Sequence, residues 1–250
     1  MAKQGEIEYL AKIGPENVGH AIRKPFSEPQ CPTHLMQLGA IMSLLPPPPA
    51  RLLDAGCGTG WTSLFYARRG YDVVGVDIAP DMIHHANRLR DDEGLDNLRF
   101  LVADYEEMSF DGEFDGAVFY DALHHAVDED LAVSRVYRAL RPGGVCVTSE
   151  PGKGHAHSAS AVEAVRRFNV TEKDMPPERV IAAGRKAGFR EFRVYPNAQQ
   201  LQEATYRYAG HRLRRLAVKR DWVRRLGSLV GLVRTQLFRI HDAGLVVMVK

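Results

Sequence analysis

The chain has little with which to build a disulfide framework: three cysteines in 250 residues, Cys31, Cys57 and Cys146, far apart and without a C-x-x-C pair. That pattern excludes a cystine-stapled scaffold and a structural zinc knuckle, and predicts a reducing compartment. The first residues lack the unbroken apolar stretch of a signal peptide, because Lys3, Glu6, Glu8 and Lys12 interrupt it. No run approaches the roughly 20 apolar residues of a membrane helix. Internal repeats are absent, and Pro46-Pro47-Pro48-Pro49 is the one low-complexity tract. Large net charge is lacking too, with 33 Lys and Arg against 31 Asp and Glu. The expectation is a cytoplasmic protein with one substantial core and added segments.

Within that balance the charge is unevenly spread. Between Arg207 and Arg239 stand Arg212, Arg214, Arg215, Lys219, Arg220, Arg224, Arg225 and Arg234 against the single acid Asp221. Leu213, Leu216, Trp222, Val223, Leu226, Leu229 and Val230 recur there at helical spacing, which predicts a helix pair with solvated basic faces. An anionic acceptor or an anionic membrane surface is the functional alternative. No aromatic recognition module accompanies the arginines, which disfavours nucleic acid and DNA in particular.

What is present is most informative at Leu52-Leu53-Asp54-Ala55-Gly56-Cys57-Gly58-Thr59-Gly60, followed by Tyr71-Asp72-Val73-Val74-Gly75-Val76-Asp77. An apolar run ends in three alternating glycines, and the next apolar run ends in a carboxylate. Glycines allow close approach of backbone to a ligand, and Asp77 is placed to accept ribose hydroxyls. The G-x-G-x-x-G of dinucleotide binding is missing, as is the G-x-x-x-x-G-K-[ST] of a phosphate loop. Asp54, just before the glycines, would repel a pyrophosphate but suit a cation or an amino-acid ammonium.

These residues resemble the class I S-adenosylmethionine-dependent methyltransferases, from about Arg51 to Phe192. The likeness includes Val76-Asp77, Phe100-Leu101-Val102-Ala103-Asp104, Phe114-Asp115-Gly116-Ala117-Val118-Phe119-Tyr120-Asp121, and Leu140-Arg141-Pro142-Gly143-Gly144 leading into a strand. It implies S-adenosylmethionine as cofactor and S-adenosylhomocysteine as product. By resemblance the cofactor site comprises Asp54, Gly56, Cys57, Gly58, Gly60, Asp77, Ile78, Ala103, Asp104 and Tyr120, with Asp77 on the ribose, Asp104 on the adenine and the glycines on the methionine portion. Tyr120 or Asp121 would border the sulfonium. The implied fold is α/β and Rossmann-like: a mostly parallel seven-stranded sheet with helices on both faces. The expected organisation is a helical cap over residues 1–50, a core over 51–196, a helical insertion over 197–240 that covers the substrate, and a final strand within 241–250.

Strands are expected at Arg51–Ala55, Asp72–Val76, Leu98–Ala103, Phe114–Tyr120, Val145–Ser149, Phe189–Tyr195 and Leu245–Val249, and helices at Gly60–Arg69, Pro80–Arg90, Asp128–Leu140 and from Pro176-Pro177 to Gly188. Pro142-Gly143-Gly144 is expected to close the third helix.

Methyl transfer to a hydroxyl needs a group to take the proton, and histidine is suited near neutral pH. Asp121-Ala122-Leu123-His124-His125-Ala126-Val127-Asp128 follows the fourth strand and resembles a D/E-x-L-H-H-x-x-D stretch of methyltransferases acting on small molecules and sugars. His124 or His125 is the expected base and Glu150 the group that orients it; the alternative is that these histidines only brace the loop by hydrogen bonds. Gly152-Lys153-Gly154-His155-Ala156-His157-Ser158 is expected as a mobile loop that, together with Asp121, His124 and His125, brings several candidate ligands to one edge; a metal-assisted methyltransferase is thus an alternative, although no closed metal motif is present and no metal ligand is assigned. Lys153 and Arg23 are candidate contacts to an anionic acceptor, Tyr9 and His20 candidate lid residues, and Trp61 core or a pocket wall.

The family's N-P-P-[YFW] signature is replaced by Tyr120-Asp121-Ala122-Leu123, which argues against planar nitrogen acceptors. The expectation is O-methylation of a small molecule or glycan unit. Amine N-methylation, RNA methylation and non-catalytic cofactor binding by a regulator remain alternatives. Oligomeric state is not legible.

Overall fold

A computed structural model describes residues 2–205 and 242–250, together with Val230 and Val233. The basic stretch discussed above, from Arg207 to Arg239, lies outside the described residues apart from those two valines, as does most of the expected 197–240 insertion.

The elements in order are α1 (Ala2–Lys12), α2 (Pro15–Ile22), α3 (Cys31–Leu44), β1 (Arg51–Ala55), α4 (Trp61–Arg68), β2 (Asp72–Asp77), α5 (Pro80–Glu93), β3 (Leu98–Val102), β4 (Phe114–Tyr120), α6 (Glu129–Ala139), β5 (Leu140–Glu150), α7 (Ala159–Phe168), α8 (Pro177–Ala187), β6 (Glu191–Tyr195), α9 (Ala198–Thr205) and β7 (Gly244–Val249). Short 3-10 turns occupy Leu123–His125 and His155–His157.

The seven strands form one sheet in the order β3-β2-β1-β4-β5-β7-β6. Strands β1 to β5 are parallel, and β7 enters antiparallel between β5 and β6. Alternation of side chains along the strands divides two cores. Leu53, Val74, Ala117 and Phe119 face α6 and α8, where Val133, Val136, Val180 and Ala183 meet them. Leu52, Val73, Val118 and Val147 face the opposite side, against Leu38 and Ile41 of α3, Tyr66 of α4 and Ile83 of α5. Leu52 and Leu53 are fully buried on opposite faces, each contributing about 2 kcal/mol of apolar transfer. This double burial explains why β1, β2 and β4 read as continuous apolar runs.

Local signals place the helix ends. Asp128 accepts the N–H of Leu131 at 3.0 Å as the N-cap of α6, and Glu129 and Asp130 complement the dipole in its first turn. Pro177 starts α8, and Gly188 at φ 111° stops it. Two expectations are corrected. Helix α6 ends at Ala139, and β5 begins at Leu140, so Pro142-Gly143-Gly144 belongs to the strand, where the pairing with β4 shifts register between Phe114 and Gly116. The expected loop at 152–158 is a turn leading into α7, capped by Ser158 Oγ, which accepts the N–H of Ala161 at 3.2 Å.

Helix α1 lies across α5 and α7. A Cβ at Gly5 would stand 1.9 Å from the carbonyl oxygen of Asn169, so the absent side chain is what lets α1 press on the end of α7.

Candidate functional site

The glycine segment between β1 and α4 is a turn with every glycine left-handed: Gly56 at φ 79°, Gly58 at 53° and Gly60 at 85°. The N–H groups of Gly56 and Cys57 both donate to the Val76 carbonyl, at 2.8 and 3.0 Å, and tie the turn to the end of β2. A Cβ at Gly60 would meet Phe100 Cζ at 2.6 Å, and one at Gly56 would meet Ala122 Cβ at 2.5 Å. A Cβ at Gly58 would meet nothing within 4 Å. Gly60 therefore answers to packing, Gly56 lets the loop after β4 touch the glycine turn, and Gly58 borders open space.

Asp54, 1% exposed, accepts from Thr62 Oγ1 at 2.7 Å and Ser63 Oγ at 2.6 Å through Oδ2 alone. Its Oδ1 is buried without a partner in the described structure. Burial raises the pKa to about 6 against the pull of the two hydroxyls, and nearby Asp77 adds to the rise. An unpaired buried carboxylate oxygen is costly and suits an incoming ammonium. Asp77 accepts the N–H of Gly58 through Oδ2 and of Ala79 through Oδ1, both at 2.9 Å. Each oxygen retains acceptor capacity for a hydroxyl. Its pKa is also raised, chiefly by burial. Ile78 follows half-buried, and the buried Cys57 thiol is pushed well up by desolvation.

Ala103 sits beyond β3, donating its N–H to the Asp77 carbonyl at 2.9 Å. Asp104 accepts the N–H of Glu106 at 2.8 Å through Oδ1, and its Oδ2 is bonded to Lys3 of α1. The carboxylate expected on adenine is thus occupied by a lysine, which also approaches Glu106 at 3.4 Å. At the other end of the sheet edge, Tyr120 hydroxyl pairs with His34 Nδ1 at 2.7 Å, and its ring meets Trp61 edge-on at 5.3 Å. Trp61 is buried among His34, Phe65 and Tyr120 and belongs to the hydrophobic core. Asp121 adopts φ 49° just after β4. It is open to solvent yet enclosed by protein, and the loss of bulk solvation, with Glu150 nearby, raises its pKa.

The loop after β4 is organised by Glu150. Its Oε1 accepts the N–H groups of Ala122 at 3.1 Å and Leu123 at 2.9 Å. Its Oε2 accepts the N–H of His124 at 3.2 Å and His124 Nδ1–H at 2.7 Å. Burial alone would raise this carboxyl, but His124 and the backbone donors hold it below its ordinary value. His124 is buried, and its Nε2 points toward Glu172 at 3.6 Å. His125 lies against His124 with ring centroids 3.9 Å apart and the planes tilted by 40°, and donates Nδ1–H to the Thr171 carbonyl at 2.7 Å. Burial works against its charge, but Glu6 and Glu172 raise its pKa to about 9. His155 donates Nε2–H to Glu172 at 2.6 Å.

Other candidates are engaged elsewhere. Exposed Lys153 pairs with Glu178 at 3.0 Å and Asp242 at 3.5 Å, and His20 pairs with Glu28 at 3.0 Å. Arg23 lies over Gly19, and Tyr9 packs edge-on against Phe168 at 5.3 Å. Exposed His157 stays outside the histidine cluster, whereas Glu6 and Glu172 join it. Neither acid stands in a motif: Glu6 is one of several charges on α1, and Glu172 lies in the irregular stretch after α7.

Residues 52–144 match a family model described as a methyltransferase domain. A demethylmenaquinone methyltransferase of Thermus thermophilus is 39% identical over 112 residues, covering 42% of this chain and 50% of that protein. A ubiquinone biosynthesis O-methyltransferase of Xanthomonas axonopodis pv. citri is 32% identical over 139 residues, covering 54% of this chain and 58% of its own length. The chain thus spans about half the length of these curated relatives. Among solved structures, phosphoethanolamine N-methyltransferase 2 of Haemonchus contortus with S-adenosyl-L-methionine has a TM-score of 0.61 at 24% identity, covering 86% of this chain and 52% of that one. At that identity the likeness concerns fold. No helix among the described residues is long and apolar enough to cross a membrane.

Proposed function

With a class I S-adenosylmethionine-dependent methyltransferase domain as its core, this protein, we propose, moves a methyl group from S-adenosylmethionine to a hydroxyl of a small molecule or glycan unit. The supporting observation is one juxtaposition: a Cβ at Gly56 would stand 2.5 Å from Ala122 Cβ, so the turn that fits a cofactor touches the loop that carries a carboxylate-backed histidine.

Asp54 Oδ1 fits the methionine ammonium, Asp77 the ribose and the free space beside Gly58 the chain between them. Asp104 fits the adenine amino group once Lys3 leaves it. The bound cofactor supplies an electrophilic methyl on a sulfonium. The protein's own part is to hold the acceptor oxygen in line with that methyl and to receive the acceptor's proton. His124 suits the second task better than His125, because the Glu150 carboxylate accepts its Nδ1–H at 2.7 Å, whereas His125 donates to the Thr171 carbonyl and has Glu6 at 3.6 Å. Glu150 fixes the tautomer with the lone pair on Nε2 and stabilises the imidazolium that forms. The O-methyltransferase among the relatives supports a hydroxyl acceptor.

Labelled S-adenosylmethionine incubated with a panel of sugars, nucleotide sugars, phenols and amines tests the reading. A hydroxyl acceptor is expected, with His124→Ala retaining S-adenosylhomocysteine affinity while turnover falls. Calorimetry that detects no S-adenosylhomocysteine uptake by folded protein sinks it.

A further inference from the structure

His124, His125 and Glu172 each offer one ligand atom, and these atoms lie within 4.8 Å of one another. A tetrahedral ion with bonds of about 2.1 Å sets its ligands roughly 3.4 Å apart, so closing the set takes a shift of about an ångström. Two imidazoles and one carboxylate suit a borderline divalent ion such as Zn2+, with positions left open.

Proximity alone would be weak ground, but both histidines are also oriented from behind, and Glu172 is fixed through Oε2, the oxygen that faces His124. His124 donates Nδ1–H to Glu150 at 2.7 Å, and His125 donates Nδ1–H to the Thr171 carbonyl at 2.7 Å. In neutral imidazoles those bonds leave the lone pair on Nε2, and His125, protonated in the ion-free protein, must release its Nε2 proton as the ion binds. Glu172 is held by His155 at 2.6 Å. A carboxylate or carbonyl behind each ligating histidine is the arrangement that raises ligand basicity and fixes ring direction.

Charge points the same way. Glu150 and Glu172 are bonded into the cluster, and Glu6 Oε1 lies 3.6 Å from His125 Nδ1. The neighbouring lysines are engaged with other acids: Lys3 with Asp104 and Lys173 with Glu129. Three carboxylates thus converge on histidines in a half-buried setting, where a divalent cation would offset them.

We propose that His124, His125 and Glu172 form a binding site for a divalent transition-metal ion, with Glu150, Thr171 and His155 as its supporting shell. This goes beyond the methyl-transfer reading and does not require it. The two states of His124 are exclusive, since a bound ion takes the Nε2 lone pair that would otherwise accept a proton. A loaded enzyme would activate its acceptor by coordination.

The test uses the full chain after chelator treatment, titrated with Co2+ and followed by its visible d–d absorption, with Zn2+ as competitor. One equivalent of Co2+ is expected, displaced by Zn2+. His125→Ala and Glu172→Gln should each weaken binding about 100-fold and His155→Ala about 10-fold, while His157→Ala changes nothing. Circular dichroism identifies any variant that fails to fold, in which case Glu172→Asp is compared instead, with altered d–d bands expected. Folded protein that binds no Co2+, or binds it equally after His125→Ala and Glu172→Gln, overturns the site. S-adenosylhomocysteine calorimetry on the same samples separates the two proposals: intact cofactor uptake without metal removes the site alone, and metal binding without cofactor uptake removes the methyl-transfer reading alone.

Discussion

Glu150 Oε2 receives His124 Nδ1–H at 2.7 Å while the same carboxylate gathers the backbone N–H groups of residues 122 to 124. One side chain at the end of β5 thus holds both the loop after β4 and the direction of its histidine. Glu150→Gln keeps the shape but aims an amide NH2 at donors that need an acceptor. The expected loss is about 3 kcal/mol in urea unfolding, with kcat reduced at least 100-fold by the misdirected imidazole. Wild-type stability in the variant would show that the four bonds do not hold the loop.

The three motif glycines should part company on substitution. Gly60→Ala meets both a left-handed backbone and the Phe100 ring at 2.6 Å, and should cost about 3 kcal/mol of stability. Gly58→Ala has only the backbone term, about 1 kcal/mol, but its methyl would stand where the cofactor is proposed to lie. S-adenosylhomocysteine affinity is expected to fall more than tenfold in Gly58→Ala. Equal affinity in that variant and the wild type would place the ligand elsewhere.

In the proposed cofactor pose, Asp54 should make binding pH-dependent. An ammonium favours the ionised carboxylate, so affinity should fall about tenfold per pH unit below the pKa of about 6, and binding near pH 6 should release a proton. Calorimetry in buffers of different ionisation enthalpy measures that release. The stability sign is the reverse of an ordinary salt-bridged acid. A raised folded pKa favours the protonated form, and the advantage is lost as pH rises from about 4 through about 6. Asp54→Asn should therefore stabilise the cofactor-free protein at pH 7.5, by up to about 2–3 kcal/mol, while weakening the cofactor.

Lys3 and the adenine compete for Asp104 in the proposed cofactor pose. Lys3→Ala should raise S-adenosylmethionine affinity about 3- to 10-fold, the scale of a partly exposed ion pair of about 1 kcal/mol. Weaker binding in the variant would mean that α1 must stay fastened for the cofactor to remain.

Much of the sheet was legible because burial on both faces leaves few choices of residue. The runs at Leu52-Leu53, Val73-Val74 and Ala117-Val118-Phe119 announce their strands, and proline and glycine mark the ends of α8. Helix α7 was hidden behind Gly152 and Gly154, which read as loop, although Ser158 is an ordinary N-cap. The pairing of Glu150 with the histidine loop could be inferred from neighbouring strand ends. Glu6, Glu172 and Lys3 could not, because long-range contacts such as Lys3 to Asp104 leave no periodic trace. Solvated surface charge and site charge look alike until the chain is folded.

The antiparallel strand β7 lies between β5 and β6 although both precede it in the chain. During synthesis, β1 to β5 can associate as they emerge, whereas β5 must wait with one edge unpaired until residues 244–249 leave the ribosome. That edge carries Val145, Cys146 and Val147, a sticky surface for other nascent chains. Insertion of the late strand both closes it and recruits β6, so assembly of this sheet ends in its interior and not at its rim.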